Sequence, residues 1–413
     1  MTTPSRFRLW QPPGRFEDRP TERRISFLEL FFDLVFVVVV AQLSHRLAEH
    51  PTWEGVGWFV FLFFAVWSSW TNGTLYYDLH GTNDISVRVF TFAQMLAVAM
   101  MGVFVGSVPG DGEAGFALAY ALNVLVLVLI WFRTGVYDPA HRAASIPYSG
   151  FYLLSALTFA GSIWVSPPGR YWLWVLGLAL QVIGQIVAFR RWTPPESQSG
   201  DAVIAVTGSL VERLALFVII VLGEVIVGSV TGMAEVEVLD VDAAAAGMLG
   251  VLVAIGLWWI YFDLVSLREP VSRYSQLWLN LHFPLVVAIT AGGAGVLNTV
   301  ERPSGDLPDE VRWLLVGAMS VAIVTVALLT RTLEARARAP EIYLRAELTM
   351  YGSALLALAV GFTGWDANPT LMTMVILLLA PVVVALLVLK QRLAARVEST
   401  WSRPATTPHS QPN

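Results

Sequence analysis

The chain has 413 residues, of which 56% are hydrophobic and only 14% are charged, against roughly 25% charged residues in a typical globular protein. This composition excludes a soluble globular fold. A net charge of -5 lacks the basic balance of a nucleic-acid binder, so nucleic acid is excluded as a partner, and the absence of cysteine excludes disulfides, thiolate nucleophiles and cysteine-based metal sites.

Apolar stretches of about 20 residues, the length that crosses roughly 30 Å of hydrocarbon, follow one another along most of the chain. They are apolar on all sides, as in FLFFAVWSSW at residues 61–70, and lack the alternation of barrel strands. This pattern predicts an all-α polytopic membrane protein with about 12 transmembrane helices. The predicted spans are residues 27–45, 55–75, 89–108, 115–132, 148–166, 171–189, 210–230, 244–265, 278–300, 313–330, 342–363 and 370–389.

Lysine and arginine residues collect on one side of these spans, as expected for the cytoplasmic side of a membrane protein. With the N-terminus inside, the even-numbered loops and both tails hold nearly all of them. The predicted external loops hold only Arg46, Arg170, Arg302 and Arg312. We therefore predict a multi-pass protein of the cytoplasmic (plasma) membrane, with the lipid bilayer as its partner and with both termini in the cytoplasm.

Two stretches of similar sequence divide the chain. The first and seventh spans open with Ser-x-x-Glu, at Ser26 and Ser209, and the second and eighth end in aromatic residues followed by Asp78 or Asp263. Because six spans return the chain to the same side, these matches predict a 6+6 parallel internal repeat, which commonly places a pathway between its halves. The predicted divisions are a cytoplasmic basic tail at 1–26, a first six-helix half at 27–189, a cytoplasmic linker at 190–209, a second six-helix half at 210–389 and a cytoplasmic disordered tail at 390–413.

A glutamate follows each of these serines three residues later. Glu29 and Glu212 fit a capping box, in which the serine and glutamate side chains bind free N–H groups at the start of a helix. The alternative is that these carboxylates line an ion or solute pathway near the cytoplasmic surface.

Two further carboxylates lie deeper in the predicted spans, where an ionisable group usually has a function or a partner. At 1.5 Å per residue, Asp33 lies about 10 Å into the first span, and Glu224 lies roughly 22 Å along the seventh, beyond any helix cap. Gly223 and Gly228 beside Glu224 permit a close helix approach. Both acids are candidates for a proton or cation site, and the alternative for Asp33 is a salt bridge to an arginine at the inner edge of another helix.

Other polar residues lie near the predicted cytoplasmic ends of their spans. Asp78, Asp263 and His282, together with the loop residue Asp84, predict a polar inner mouth. Four amide side chains inside the spans are expected to bridge helices rather than bind a ligand. They are Gln94, Asn123, Gln181 and Gln185.

Catalytic motifs are absent from the sequence, which contains no G-x-S-x-G, no H-E-x-x-H and no phosphate-binding glycine loop. The six histidines are not spaced as metal ligands, and the nearest approach to a ligand group is Asp78-Leu-His80 with Asp84. We predict that the protein is not an enzyme, with no catalytic residues, no metal site and no cofactor.

The run RRISFLELFFDLVFVVVVAQLSHRL at residues 23–47 resembles the signature of the low temperature requirement protein A (LtrA) family. ERLALFVIIVLGE, from Glu212 to Glu224, and LWWIYFD, from Leu257 to Asp263, agree with it, while Ser209 stands where many members are expected to carry a histidine. The family is defined by sequence and named after a growth phenotype, so the resemblance implies a polytopic bacterial membrane protein and no particular reaction. Residues 31–37 are also distantly similar to the first-helix motif of a six-plus-six helical potassium channel family.

Parallel duplication and deep carboxylates without an enzyme motif favour a secondary transporter or ion-coupled permease for a small solute or ion. In this hypothesis Asp33 and Glu224 bind a proton or monovalent cation, and the inner polar residues form a gate. One alternative is a cation channel, and another is a non-transporting membrane protein that senses or organises lipid. Small-residue faces such as AGGAG at 291–295 suit contacts within one chain or in a homo-oligomer.

Overall fold

The computed structural model describes residues 12–14, 25–82, 84–191, 206–236, 239–302 and 307–401, and within these ranges it is built from thirteen α-helices with no β-strand. In chain order the helices are α1 (Phe27–Glu49), α2 (Trp53–His80), α3 (Ile85–Val105), α4 (Glu113–Tyr137), α5 (Arg142–Gly161), α6 (Gly169–Arg191), α7 (Gly208–Glu235), α8 (Val241–Leu264), α9 (Ser275–Val300), α10 (Asp309–Thr332), α11 (Glu334–Arg338), α12 (Pro340–Val360) and α13 (Ala367–Trp401).

Each of the twelve predicted spans coincides with one of these helices, and the five-residue helix α11 is additional. Among the described residues, nine helices are long and apolar enough to cross a membrane, namely α1, α3, α4, α6, α7, α8, α9, α10 and α13. Helices α2, α5 and α12 have 28, 20 and 21 residues but carry more polar side chains. The prediction of an all-α membrane protein is confirmed, and a count of twelve crossings stays a prediction.

Hydrogen-bonding side chains define the helix starts that position the candidate residues. Ser26 caps α1, its Oγ accepting a hydrogen bond from the Glu29 backbone N–H at 3.3 Å, while the Glu29 carboxylate accepts one from the Ser26 backbone N–H. The capping box predicted at Glu29 is therefore confirmed. Asp84, a residue of the predicted polar mouth, caps α3 by accepting a hydrogen bond from the Ser86 backbone N–H.

The capping box predicted at Ser209 and Glu212 was wrong. Helix α7 is capped two residues earlier by Thr207, whose side chain accepts a hydrogen bond from the Leu210 backbone N–H at 3.1 Å. Because the helix starts there, its third residue is Leu210, and the Glu212 side chain is exposed on the following turn. Threonine offers the same capping oxygen as serine, so residue type alone does not decide between a cap at Thr207 and one at Ser209.

The helices pack in a similar order in the two parts of the chain. Helix α1 packs on α2 and α3, α4 on α3 and α5, and α5 on α6. Helix α7 packs on α8 and α9, α10 on α9 and α12, and α12 on α13, while α8 also packs closely along α13. Contacts between the two parts run from α1 and α2 to α7 and α9.

Helices α7 and α9 approach each other through glycines. A Cβ added at Gly228 would lie 2.7 Å from the carbonyl oxygen of Gly293, and one added at Gly293 would lie 3.1 Å from the backbone carbonyl of Glu224. The close approach predicted at Gly228 is thus confirmed. Gly223 contributes nothing to it, because a Cβ there would meet no atom within 4 Å.

Helix α13 continues past the predicted end of its span at residue 389 and reaches Trp401. The disordered tail predicted from residue 390 therefore begins too early, since residues 390–401 hold strong helix formers and no glycine or proline. Residues 402–413, most of the predicted basic tail at 1–26 and most of the linker at 190–209 lie outside the described residues.

Candidate functional site

A buried ion pair connects the first and seventh helices. Arg213 Nη2 donates a hydrogen bond to Asp33 Oδ1 at 2.6 Å, and both side chains are about 1% exposed. Trp70 of α2 donates its indole N–H to the same Asp33 oxygen at 2.8 Å. The predicted alternative for Asp33, a salt bridge to an arginine of another helix, is confirmed.

Arg213 also lies close to a second carboxylate, that of Glu29. Its Nη1 lies 3.6 Å from Glu29 Oε2, so one guanidinium faces two acids on the same side of α1. The Arg213 guanidinium also lies 5.9 Å from the ring centroids of Phe32 and Trp70, within the range of cation–π attraction. Because an arginine stays positively charged, it compensates a buried negative charge that the apolar surroundings would otherwise penalise strongly.

Asp78 also faces the start of α7. Its carboxylate accepts hydrogen bonds from the hydroxyl groups of Thr207, at 2.7 and 2.8 Å, and Ser209, at 2.5 Å. Three of the predicted site residues, Glu29, Asp33 and Asp78, therefore meet around the first two turns of α7.

Glu224 lies apart from this cluster. It is eleven residues beyond Arg213 on the same helix, which corresponds to about 16 Å. Its side chain is buried, and it makes no hydrogen bond or salt bridge with any residue that the structure describes. An acid in this position is a suitable place for a proton or a cation.

The remaining predicted residues bind other partners. His282 is fully buried between α8 and α9, where its Nε2 lies 3.1 Å from the Tyr261 hydroxyl and its Nδ1 lies 2.8 Å from the Trp278 carbonyl oxygen. Asp263 is half-buried, and its backbone carbonyl accepts a hydrogen bond from Arg268. Asp78, Asp84 and His282 thus bond to different partners, and a polar inner mouth formed with Asp263 stays a prediction.

A cavity of about 460 Å³ opens between α2, α5, α6 and the first turns of α9. Its walls are mainly apolar, with polar groups from Ser68, Thr71, Asn72, Ser145 and Gln185. Thr71 Oγ1 and Ser145 Oγ are buried and make no hydrogen bond within the described residues. No aspartate or glutamate is among the described residues that line the cavity, whereas Arg190 is.

Four amide side chains connect neighbouring helices, and of these Gln185 lines the cavity while Gln181 bonds to Ser68 of its wall. Gln181 accepts a hydrogen bond from Ser68 at 3.1 Å and donates to Ser155 at 2.8 Å, which connects α2, α6 and α5. Gln185 donates to the Tyr152 hydroxyl at 2.9 Å, and Asn123 donates to Ser69 at 2.8 Å. Gln94, on α3, accepts from Tyr77 of α2 at 2.9 Å. All four amides bridge helices, as predicted.

A group of ligand-type side chains lies where helices α2, α4 and α5 meet. His80, Asp138 and His141 are all buried, and each offers one nitrogen or oxygen atom within 4.8 Å of the other two. This differs from the prediction that the histidines do not cluster. Asp78 and Asp84, which the sequence suggested as partners of His80, turn to α7 and α3 instead.

Arg213, the cavity and this histidine group were missed by sequence reasoning. Arg213 lies inside α7, one residue after Glu212, whereas the distribution of arginines indicates only the side of the membrane. A local signal did exist for the histidine group, since Asp138 and His141 stand three residues apart in Asp-Pro-Ala-His, in the loop after the predicted span at 115–132.

Comparison with known proteins gives a consistent result. A model of the family described as bacterial low temperature requirement A protein (LtrA) matches residues 24–389. An uncharacterized protein of Rhizobium meliloti (strain 1021) is 30% identical over an alignment of 307 residues, and the alignment covers 70% of this chain and 72% of the relative. No solved structure matches.

Proposed function

This chain belongs to the bacterial low temperature requirement A (LtrA) family, and we propose that it is a secondary transporter that binds a small, partly apolar solute in the cavity between α2, α5 and α6. The family and the apolar helices establish a membrane protein and no reaction. The observation that carries the proposal is the cavity, since about 460 Å³ lies within the range of roughly 300–1,000 Å³ found for small-molecule sites.

The lining of the cavity indicates which solute fits. Mostly apolar walls suit a hydrocarbon or aromatic body, while the free hydroxyl groups of Thr71 and Ser145 both donate and accept hydrogen bonds. Arg190 stands at the rim, and no acidic side chain is present among the described lining residues. These groups favour a neutral or anionic organic solute over a cation in the cavity itself.

We extend the proposal to the topology, with twelve crossings, both termini in the cytoplasm and residence in the plasma membrane. The distribution of arginines supports this orientation. In it, the cavity extends from the middle of α2, at Phe64, to the cytoplasmic end, at Leu79, about 22 Å along the helix. The solute would then enter from the cytoplasm.

A 6+6 parallel repeat is part of the same proposal. The packing of α1 on α3 has a counterpart in α7 on α9, that of α3 on α4 in α9 on α10, and that of α5 on α6 in α12 on α13. One pairing differs, because α8 packs along α13 through Gly256 and Leu378, whereas the cavity separates α2 from much of α6. Because the cavity separates α2 from much of α6 while α8 and α13 are in contact, the repeat would contain one solute site rather than two.

Coupling to an ion is assigned to the buried acids. Glu224 is the proposed proton or monovalent cation site, because it is buried without a hydrogen bond or salt bridge to the described residues. Asp33, paired with Arg213 and bonded to Trp70 of α2, is the proposed connection between the ion site on α7 and the helix that lines the cavity.

A single introduced cysteine tests the cavity, since the natural chain has none. Ser145→Cys places a thiol at the cavity wall, and we expect a membrane-impermeant maleimide to label it in inside-out vesicles. Ser229→Cys on α7 is the matched control, because Ser229 is equally buried but bonds to the Val225 carbonyl away from the cavity. Equal labelling of both thiols, or of neither, contradicts a cytoplasmic cavity.

Flux in proteoliposomes with an internal pH dye tests transport, under imposed potassium and proton gradients and with neutral and anionic organic solutes added in turn. Saturable flux that is lost in Glu224→Gln supports the transporter. Unsaturable conductance without a coupled species would indicate a cation channel. Absence of flux from folded, correctly oriented protein with every solute contradicts the proposal and favours the lipid-sensing alternative.

A further inference from the structure

We propose that His80, Asp138 and His141 form a binding site for one divalent transition-metal ion, of which zinc fits the ligands best. Two imidazoles and one carboxylate are ligands that zinc prefers, whereas magnesium and calcium prefer oxygen atoms alone. The three residues are 1 to 3% exposed, and the ligand atoms lie within 4.8 Å of one another.

The hydrogen bonds of His80 direct one of its nitrogens to the site. Nδ1 lies 2.9 Å from the carbonyl oxygen of Gly14, which can only accept, so Nδ1 carries the proton. Nε2 therefore has its lone pair free, and it makes no hydrogen bond with any residue that the structure describes. A metal-bound histidine has this arrangement, in which the second nitrogen donates to a backbone carbonyl and sets the orientation of the ring.

The other two ligands come from the connection between α4 and α5. Asp138 is the C-cap of α4, and His141 precedes the first residue of α5. Asp138 Oδ2 lies 3.1 Å from His141 Nδ1, and the rings of His80 and His141 are 4.6 Å apart between centroids. The backbone turn between α4 and α5 thus presents both side chains to the end of α2.

The distances permit a tetrahedral ion after a small adjustment. Zinc–ligand bonds of about 2.0–2.2 Å place neighbouring ligand atoms roughly 3.4 Å apart. Separations of up to 4.8 Å then close by about 1.4 Å, which side-chain rotation can supply without moving the helices. Three protein ligands leave a fourth position for water or another ligand.

The site lies at one end of the cavity, since His141 also lines the cavity wall. A bound ion would join the end of α2 to the start of α5 and would fix the distance between two helices of that wall. The inference does not depend on transport, because zinc binding is measured without any solute.

The test uses the full-length protein, purified without a polyhistidine tag and stripped with a chelator. Zinc is titrated against a competing chelating dye, with bound metal counted by mass spectrometry. We expect one zinc per chain, a higher unfolding temperature with zinc, and no effect of magnesium. Replacement of zinc by cobalt(II) should give the visible absorption of a tetrahedral site, and this measurement needs no variant.

The variants His80→Gln and His141→Gln should weaken zinc binding by about 100-fold or more, because even the partners of a metal ligand contribute about 10-fold to 100-fold. His45→Gln, an exposed histidine of α1, is the matched control and should bind zinc as the natural chain does. The proposal is overturned when the folded natural chain binds no zinc, or when both ligand variants bind it as tightly as the control.

Discussion

Asp33 of α1 and Arg213 of α7 form a hydrogen-bonded ion pair of 2.6 Å, although 180 residues separate them along the chain. Trp70 of α2 donates to the same Asp33 oxygen, so three helices meet at one carboxylate. Glu29 faces the same guanidinium at 3.6 Å.

Removal of Arg213 should destabilise the fold more than removal of Asp33. Arg213→Met leaves the Asp33 carboxylate buried without the cation that it pairs with, and loss of one partner of a buried pair costs about 3–5 kcal/mol. Asp33→Asn leaves Arg213 beside Glu29 and should cost less. The free energies of unfolding of both variants are measured in detergent, with heat or denaturant used to unfold the protein. Arg345→Met, at an exposed arginine, is the control, and a loss at Arg213 no larger than the control's would contradict this role.

A methyl group at Gly228 should separate α7 from α9. Gly228→Ala places a Cβ 2.7 Å from a backbone oxygen that cannot move alone, and overpacking of this kind costs about 1–3 kcal/mol. Gly223→Ala is the matched control on the same helix, where a Cβ meets no atom within 4 Å. It should be neutral or stabilising, since alanine favours a helix over glycine by about 1 kcal/mol. Unfolding temperatures that change alike in both variants would refute the close contact.

The stability of the protein should contain a pH-dependent contribution from Glu301, which follows the last residue of α9. Burial and a hydrogen bond with Glu235 raise the pKa of Glu301 above its ordinary 4.5. The folded state therefore binds this proton more tightly than the unfolded state, and the stabilisation is complete below pH 4.5 and is lost as the pH rises through the folded-state pKa.

Glu301→Gln should remove this contribution. Unfolding temperatures of the variant and the natural chain are measured from pH 4.5 to 7.5. The variant should become more stable relative to the natural chain as the pH rises. Glu310→Gln, at an exposed glutamate of α10, supplies the comparison and should give a constant difference. A constant difference for Glu301→Gln as well would show that the two glutamates do not share a proton.

Filling the cavity should abolish transport without unfolding the protein. Ala144→Phe adds a ring to the cavity wall, whereas Ala143→Phe adds the same ring to the exposed neighbouring position of α5. We expect flux and maleimide labelling of Ser145→Cys to fall only with the first change. Normal flux in folded Ala144→Phe would move the solute pathway away from this cavity.

Local patterns predicted much of the fold. Apolar runs located all twelve long helices, because each run has the length and composition of one helix, and the capping box at Ser26 was readable because its atoms lie three residues apart. Buried amides such as Gln181 were correctly expected to bridge helices, since an amide inside a span needs partners there.

Contacts between distant parts of the chain were not predictable in this way. The partner of Asp33 depends on how α1 packs against α7, which no local pattern records. His80 and His141 are 61 residues apart and meet only because α4 returns to the end of α2. A cavity likewise depends on the spacing between several helices, so the sequence of any one helix does not predict it.

Helix α2 contacts both the Asp33–Arg213 ion pair and the cavity. Trp70 donates a hydrogen bond to Asp33, and its neighbours Thr71 and Asn72 line the cavity. A ligand that shifts this helix on binding would also move Trp70 relative to Asp33, and the ligand would then be coupled to the ion pair. Thermodynamic linkage makes this coupling reciprocal. The factor by which the ligand changes the stability of the ion pair equals the factor by which breaking the pair changes the affinity for the ligand. Measurement of either quantity, in the natural chain and in Asp33→Asn, would therefore determine the other.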